Sequence, residues 1–154
     1  STAAARSRQD LTMTSHEPST ATVTRRVEWV DTDASGHQHN SLIVRLLEAA
    51  EHELILLAGI TEEYMVGAPR VRQEIDFTGK LYFGQTVTAS IVVERVGRAS
   101  ITYSFDVWGE AFKDVPRRKA ASGRLVVAHV PAGSDQAGPW PDAVRAALTP
   151  RQTD

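Results

Sequence analysis

An α+β fold is expected for this chain, with an antiparallel sheet of about five strands curled around one long central helix. Three observations predict it. The order is one strand, one long helix and then an unbroken run of strands, instead of alternating βαβ units. Residues 41–58 (SLIVRLLEAAEHELILLA) are apolar around most of the helical circumference, which suits a helix covered by a sheet. The strand segments alternate apolar and polar residues, with turn residues between them.

Taken in order, residues 22–30 (TVTRRVEWV) alternate enough for a first strand, and 31–40 (DTDASGHQHN) form a polar loop. Asn40 or Ser41 supplies an N-cap for the helix, and Gly59 supplies its stop. A short helical turn is expected near residues 62–66. Strands follow at 70–77, 86–96, 99–108 and 119–130, with turn glycines in 78–85 and a hairpin turn at Gly97 and Arg98. Gly123 reads as a β-bulge. The aromatic residues Trp29, Phe77, Tyr82, Phe83, Tyr103, Phe105 and Trp108 read as core or interface.

The 154 residues suit one domain large enough to bury a core. We expect a disordered head over 1–20, a folded domain over 21–131, and a tail over 132–154 with a short helix after Pro141 through Val144 and Leu148. The absence of cysteine excludes disulfides, thiolate nucleophiles and Cys-based metal sites. A net charge of -2 gives no global nucleic-acid footprint. The longest apolar stretch, residues 42–57, is interrupted by Arg45, Glu48, Glu51, His52 and Glu53, so no membrane span is expected. Residues 1–20 hold no continuous apolar segment, so no secretory signal is expected and the chain reads as cytoplasmic.

The chemistry is concentrated in the loop 31–40, which runs from a strand into the start of the buried helix. A helix N-terminus presents free N–H groups and the positive end of the macrodipole. Such donors polarise a carbonyl and stabilise an oxyanion, and a carboxylate just upstream completes a minimal kit for acyl transfer. The chain has no Walker-type phosphate loop and no G-x-S-x-G elbow. Read alone, Asp31 and Asp33 are loop residues making Asx-turns, since most D-x-D loops do no chemistry. His37 and His39 add imidazole donors, but their spacing in a loop needs a third ligand from elsewhere, and no metal is expected.

The stretch VEWVDTDASGHQHN followed by LLEAAE resembles the hotdog-fold acyl-CoA thioesterases of the 4-hydroxybenzoyl-CoA thioesterase type, which carry D-x-D-x-x-G between the first strand and the central helix. The segment IDFTGKLYFGQTVTASIVVERVGRASITYSFDV is similar to the family's strand pattern, and the resemblance spans residues 23–130. It implies a hotdog fold and hydrolysis of an acyl-CoA to free acid and CoA, with no cofactor. It implies that Asp33 is the catalytic carboxylate, as nucleophile or general base. Gly36 would be the glycine that turns the loop, and the Asn40 N–H the donor to the thioester carbonyl. Glu48 would be an acidic position on the helix.

His37 is a candidate for a catalytic role and His39 for substrate binding; Lys80 and Arg98 are candidates for the CoA phosphates. Partnership with a second copy is expected, as a homodimer or a dimer-of-dimers tetramer. Two alternatives stay open: a non-catalytic acyl-CoA-binding module, and an acyl-carrier-protein thioesterase or dehydratase on the same fold.

Overall fold

The computed structural model describes residues 19–150. All but the last two residues of the expected head, and the last four residues of the chain, lie outside them. Strand β1 (Thr20–Arg26) leads through a 3-10 turn (Trp29–Asp31) and the loop into helix α1 (Ser41–Ala58) and the short α2 (Thr61–Met65). Strands β2 (Arg70–Phe77), β3 (Thr86–Val96), β4 (Ser100–Gly109) and β5 (Arg118–Ala128) follow, and α3 (Asp142–Leu148) closes the described chain. The five strands form one antiparallel sheet in the order β1-β3-β4-β5-β2, so β1 and β2 are its edges. This is the curled sheet and single long helix that the sequence predicts.

Helix α1 buries Leu42, Ile43, Leu46, Leu47, Ala50, Leu54 and Ile55, an i, i+3, i+4 stripe laid on the inner face of the sheet. The sheet answers with Val87, Ala89, Ile91 and Val93 of β3, and with Ile101, Tyr103, Phe105 and Val107 of β4. Gly59 ends the helix in the left-handed region at φ 71, its N–H returning to the carbonyls of Ile55 and Leu56. No helix among the described residues is long and apolar enough to cross a membrane.

Three local expectations are corrected. The first strand ends at Arg26, because the Asp31 side chain accepts the Glu28 N–H at 2.8 Å and closes a tight turn instead. Neither Asn40 nor Ser41 caps α1 with its side chain. Asn40 has helical angles, so capping passes to His39, whose Nδ1 accepts the Ser41 N–H at 3.2 Å. Gly123 is not a bulge: it pairs in register with Phe105 and Ile75, and the extra residues are Val71, Glu94 and Ala120. It is glycine because a Cβ there would sit 1.8 Å from the Glu74 carbonyl oxygen.

The segment after Pro131, read from sequence as a tail, packs onto the core. Trp140, Val144 and Leu148 are buried, and the Trp140 ring stacks on Tyr64 with centroids 5.6 Å apart and planes 6° apart. Ser19 is also buried, its carbonyl accepting the Val93 N–H.

Candidate active site

The loop before α1 is held at three points. Asp31 is buried beneath it; one carboxylate oxygen takes the Glu28 N–H and the other takes Arg45 Nη1 at 2.7 Å. Its carbonyl accepts the His39 N–H at 2.7 Å, tying the two ends of the loop together. Gln38, also buried, spans to the 79–81 segment: its side chain takes the Leu81 N–H at 2.8 Å and donates to the Gly79 carbonyl at 3.1 Å. Its own N–H donates to the Leu81 carbonyl. Between these anchors the Gly36 N–H donates to the Asp33 carbonyl, and the Asp33 N–H to that of His37. Gly36 sits at φ 87, where an L side chain is strained although nothing crowds it.

Asp33 lies at the exposed tip. Its Oδ1 accepts the Ser35 N–H at 2.8 Å and also the Ser35 hydroxyl, which is the local Asx-turn geometry. Oδ2 has no partner among the described residues. The Ser35 hydroxyl, then the Ser35 N–H, hold the carboxyl below the usual aspartate range, and the nearby His39 and His37 act in the same direction.

Asn40 opens α1 beside a cavity of about 430 Å³ lined by His37, Gln38, Asn40, Phe77, Thr78, Gly79 and Lys80. Its N–H has no acceptor among the described residues, whereas those of Ser41 and Leu42 both turn back to His39. Loop, helix start and Lys80 are therefore brought together, but Asp33 is not in the wall of this cavity. In the single chain its carboxylate faces solvent.

Two other candidates lie apart. Glu48 is two turns along α1, 3.8 Å from Arg70, in a cavity of about 280 Å³ shared with Glu51, His52 and Tyr64. Arg98 is at the far end of the sheet in the β3–β4 turn, where its carbonyl accepts the Trp140 N–H. Among the described residues no three His, Asp or Glu side chains gather as a metal site.

Sequence reasoning missed Ser35, Gln38 and a buried polar chain. Serine two residues after aspartate is a recognisable turn signal. Gln38 carried none. The buried chain runs from Arg70 to both oxygens of Glu51, and from Glu51 to the Tyr64 hydroxyl, which meets Tyr103 at 3.0 Å. Burial pushes both phenols well above their ordinary range, so they stay un-ionised.

A curled antiparallel sheet on one helix, with an acid-bearing loop at the helix start, defines the class of hotdog-fold thioesterases. The chain belongs to the thioesterase superfamily, whose sequence model matches residues 35–111, half of the chain. It is a thioester hydrolase. Asp33 lies two residues before that match; Gly36, Asn40, Glu48, Lys80 and Arg98 lie within it.

Among solved structures it is similar to a predicted thioesterase from Bacillus stearothermophilus, at 25% identity and TM-score 0.73, over 88% of this chain and 99% of that one. The 1,4-dihydroxy-2-naphthoyl-CoA thioesterase from Synechocystis shares the fold at 16% identity and TM-score 0.72, over 84% and 95% of the two chains. A mutant 4-hydroxybenzoyl-CoA thioesterase complexed with 4-hydroxybenzoyl-CoA does so at 16% identity and TM-score 0.71, over 83% and 98%. No curated protein matches the sequence.

Proposed function

We propose that the chain hydrolyses an acyl-CoA thioester to the free acid and CoA, with Asp33 as the reacting carboxylate. The observation that carries this reading is the placement of Asp33. It is an ionised side chain with one oxygen free, on a pinned loop that leads directly into the open N-terminus of α1. The thioester carbonyl would point at the Asn40 N–H, where the helix end stabilises the charge that develops on oxygen. Oδ2 either attacks the carbonyl carbon or takes a proton from water as that water attacks. The C–S bond then breaks and the thiolate leaves with the electron pair. His37 would line the entrance, Lys80 would meet the CoA phosphates, and no cofactor is used.

The site becomes a cleft when a second copy pairs on the edge strand β2, giving at least a homodimer. Strand β2 is exposed on both faces, with Val71 and Phe77 more than half exposed, and such an edge is a template for pairing. Phe77 also lines the cavity at Asn40, so a partner seated on this edge covers the reacting centre. The names of two structural neighbours, which specify aryl-CoA thioesters, support the choice of CoA carrier.

The test is thiol release from a panel of acyl-CoAs by the wild type and by Asp33→Asn. The variant is expected to keep its fold, because residue 33 is exposed, and to lose roughly 10²–10⁴-fold in turnover. Near-normal turnover would overturn the assignment. Saturable acyl-CoA binding without thiol release would instead point to a binding module.

A further inference from the structure

We infer that a cavity between β1 and α1 is a second binding site, for an oxyanion carried on a short apolar body, and that its occupation is felt at the catalytic loop. The coupling, but not the binding, rests on the reading of the chain as a hydrolase. The cavity holds about 280 Å³ and shares no lining residue with the cavity at Asn40 or with that at Glu48. Its floor is apolar: Leu42, Leu46 and Ala49 come from one stripe of α1, and Val87 from β3. Its rim is cationic. Arg25 and Arg26 end β1, and Arg45 rises from α1. Because β1 is an edge of the sheet, no further strand covers the first two, and both are exposed.

The charges of this cavity do not cancel among themselves. Its carboxylates are Glu28 and Asp31. Asp31 places one oxygen on Arg45 and the other on the Glu28 N–H. Among the described residues Glu28 pairs with none of the guanidiniums. Arg25 donates only to the Thr24 carbonyl, and Arg26 has no partner among the described residues. Two guanidiniums without an anion, and the free N–H groups of Arg45, therefore border one apolar floor. A guanidinium takes a carboxylate or a phosphate through paired N–H donors. An anion with an apolar tail satisfies rim and floor together. A neutral lipid leaves the cations unpaired, and a bare inorganic anion leaves the floor wet.

Arg45 is also the outer anchor of the catalytic loop. Its bond to Asp31 holds the turn, the Asp31 carbonyl takes the His39 N–H, and the His39 ring accepts the Ser41 N–H beside Asn40. An oxyanion at the rim competes with Asp31 for Arg45 and loosens the tie that positions the Asn40 N–H. Occupation therefore lowers turnover without excluding substrate. Thioester hydrolysis releases a carboxylic acid, an anion of this class, so the site would answer to the reaction's own product.

The experiment titrates octanoate, octyl phosphate, octanol and inorganic phosphate into the complete chain by calorimetry. The two octyl anions are expected to bind roughly tenfold or more tightly than octanol or inorganic phosphate, and the tighter of the two names the anion. Arg25→Gln with Arg26→Gln should weaken that binding by roughly tenfold or more, and Asp33→Asn should leave it unchanged. In the wild type the tighter anion should lower kcat for thiol release with KM unmoved. The double variant should keep the basal kcat and escape the inhibition. Octanol or inorganic phosphate binding as well as the octyl anions, or an affinity unchanged in the double variant, overturns the site. Inhibition that competes with acyl-CoA, or a kcat that the bound anion leaves alone, overturns the coupling. Binding is read without turnover, so a chain that releases no thiol from any acyl-CoA sinks the hydrolase reading and not the site.

Discussion

Ser35 closes on the carboxylate of Asp33 twice, with its backbone N–H at 2.8 Å and with its hydroxyl, both on Oδ1. The same two bonds turn the loop and bias the charge state of the residue assigned the chemistry.

The first prediction concerns pH. Both bonds favour the ionised carboxylate, so they lower its pKa, and the flanking His37 and His39 add to the effect. Removing the hydroxyl in Ser35→Ala raises the pKa. More of the enzyme is then protonated at a given acidic pH, and the acid limb of the kcat/KM profile moves to higher pH. Ser35→Thr, which keeps a hydroxyl, should restore the limb. An acid limb unmoved in Ser35→Ala would show that another group controls it.

A second prediction separates the two aspartates. Asp31 is buried and bonded to the Glu28 N–H and to Arg45, so its role is to hold the turn. Asp31→Ala should cost roughly 1.5–3 kcal/mol, the scale for hydrogen bonds to a charged group. Urea unfolding would measure it. Asp33→Asn, at an exposed tip, should leave the unfolding midpoint within experimental error while turnover falls.

The third concerns the C-terminal segment. Trp140 is buried against Tyr64 and His129, and α3 contributes Val144 and Leu148 to the same core. Trp140→Ala is expected to destabilise by about 3–5 kcal/mol, typical of a large aromatic lost from a core. Thermal unfolding followed by circular dichroism would test this. A loss below 1 kcal/mol would mean that the segment is dispensable.

The last concerns assembly. Light scattering on the wild type should give at least a dimer. Charges placed on the β2 edge by Val71→Lys with Phe77→Lys should shift it towards monomer and lower turnover together. A wild-type monomer with full activity would remove the second copy from the mechanism.

Much of the fold was legible because it rests on local periodicity. The apolar stripe of 41–58 and the stop at Gly59 are contained in one stretch of chain, and α1 has those bounds. The alternation of 70–77 and 86–96 matches β2 and β3 in the same way. Gly123 was misread because its reason lies in the Glu74 carbonyl, brought close only when β2 pairs with β5. The strand expected through residue 30 stopped early because Asp31 turns back onto the Glu28 N–H, in a turn that Arg45, fourteen positions away, holds through the same carboxylate.

By itself the sequence determined that one long helix meets a run of strands, and that an acidic loop with a glycine precedes that helix. Periodicity and turn chemistry are short-range properties, so one chain segment is enough to state them. Only the tertiary structure decided which charges share a place. Register and curl carried Lys80 to the helix start, sent Glu48 to Arg70, and set Arg98 at the opposite end of the sheet. Those juxtapositions depend on strand pairing between residues distant in sequence, and no local pattern encodes them.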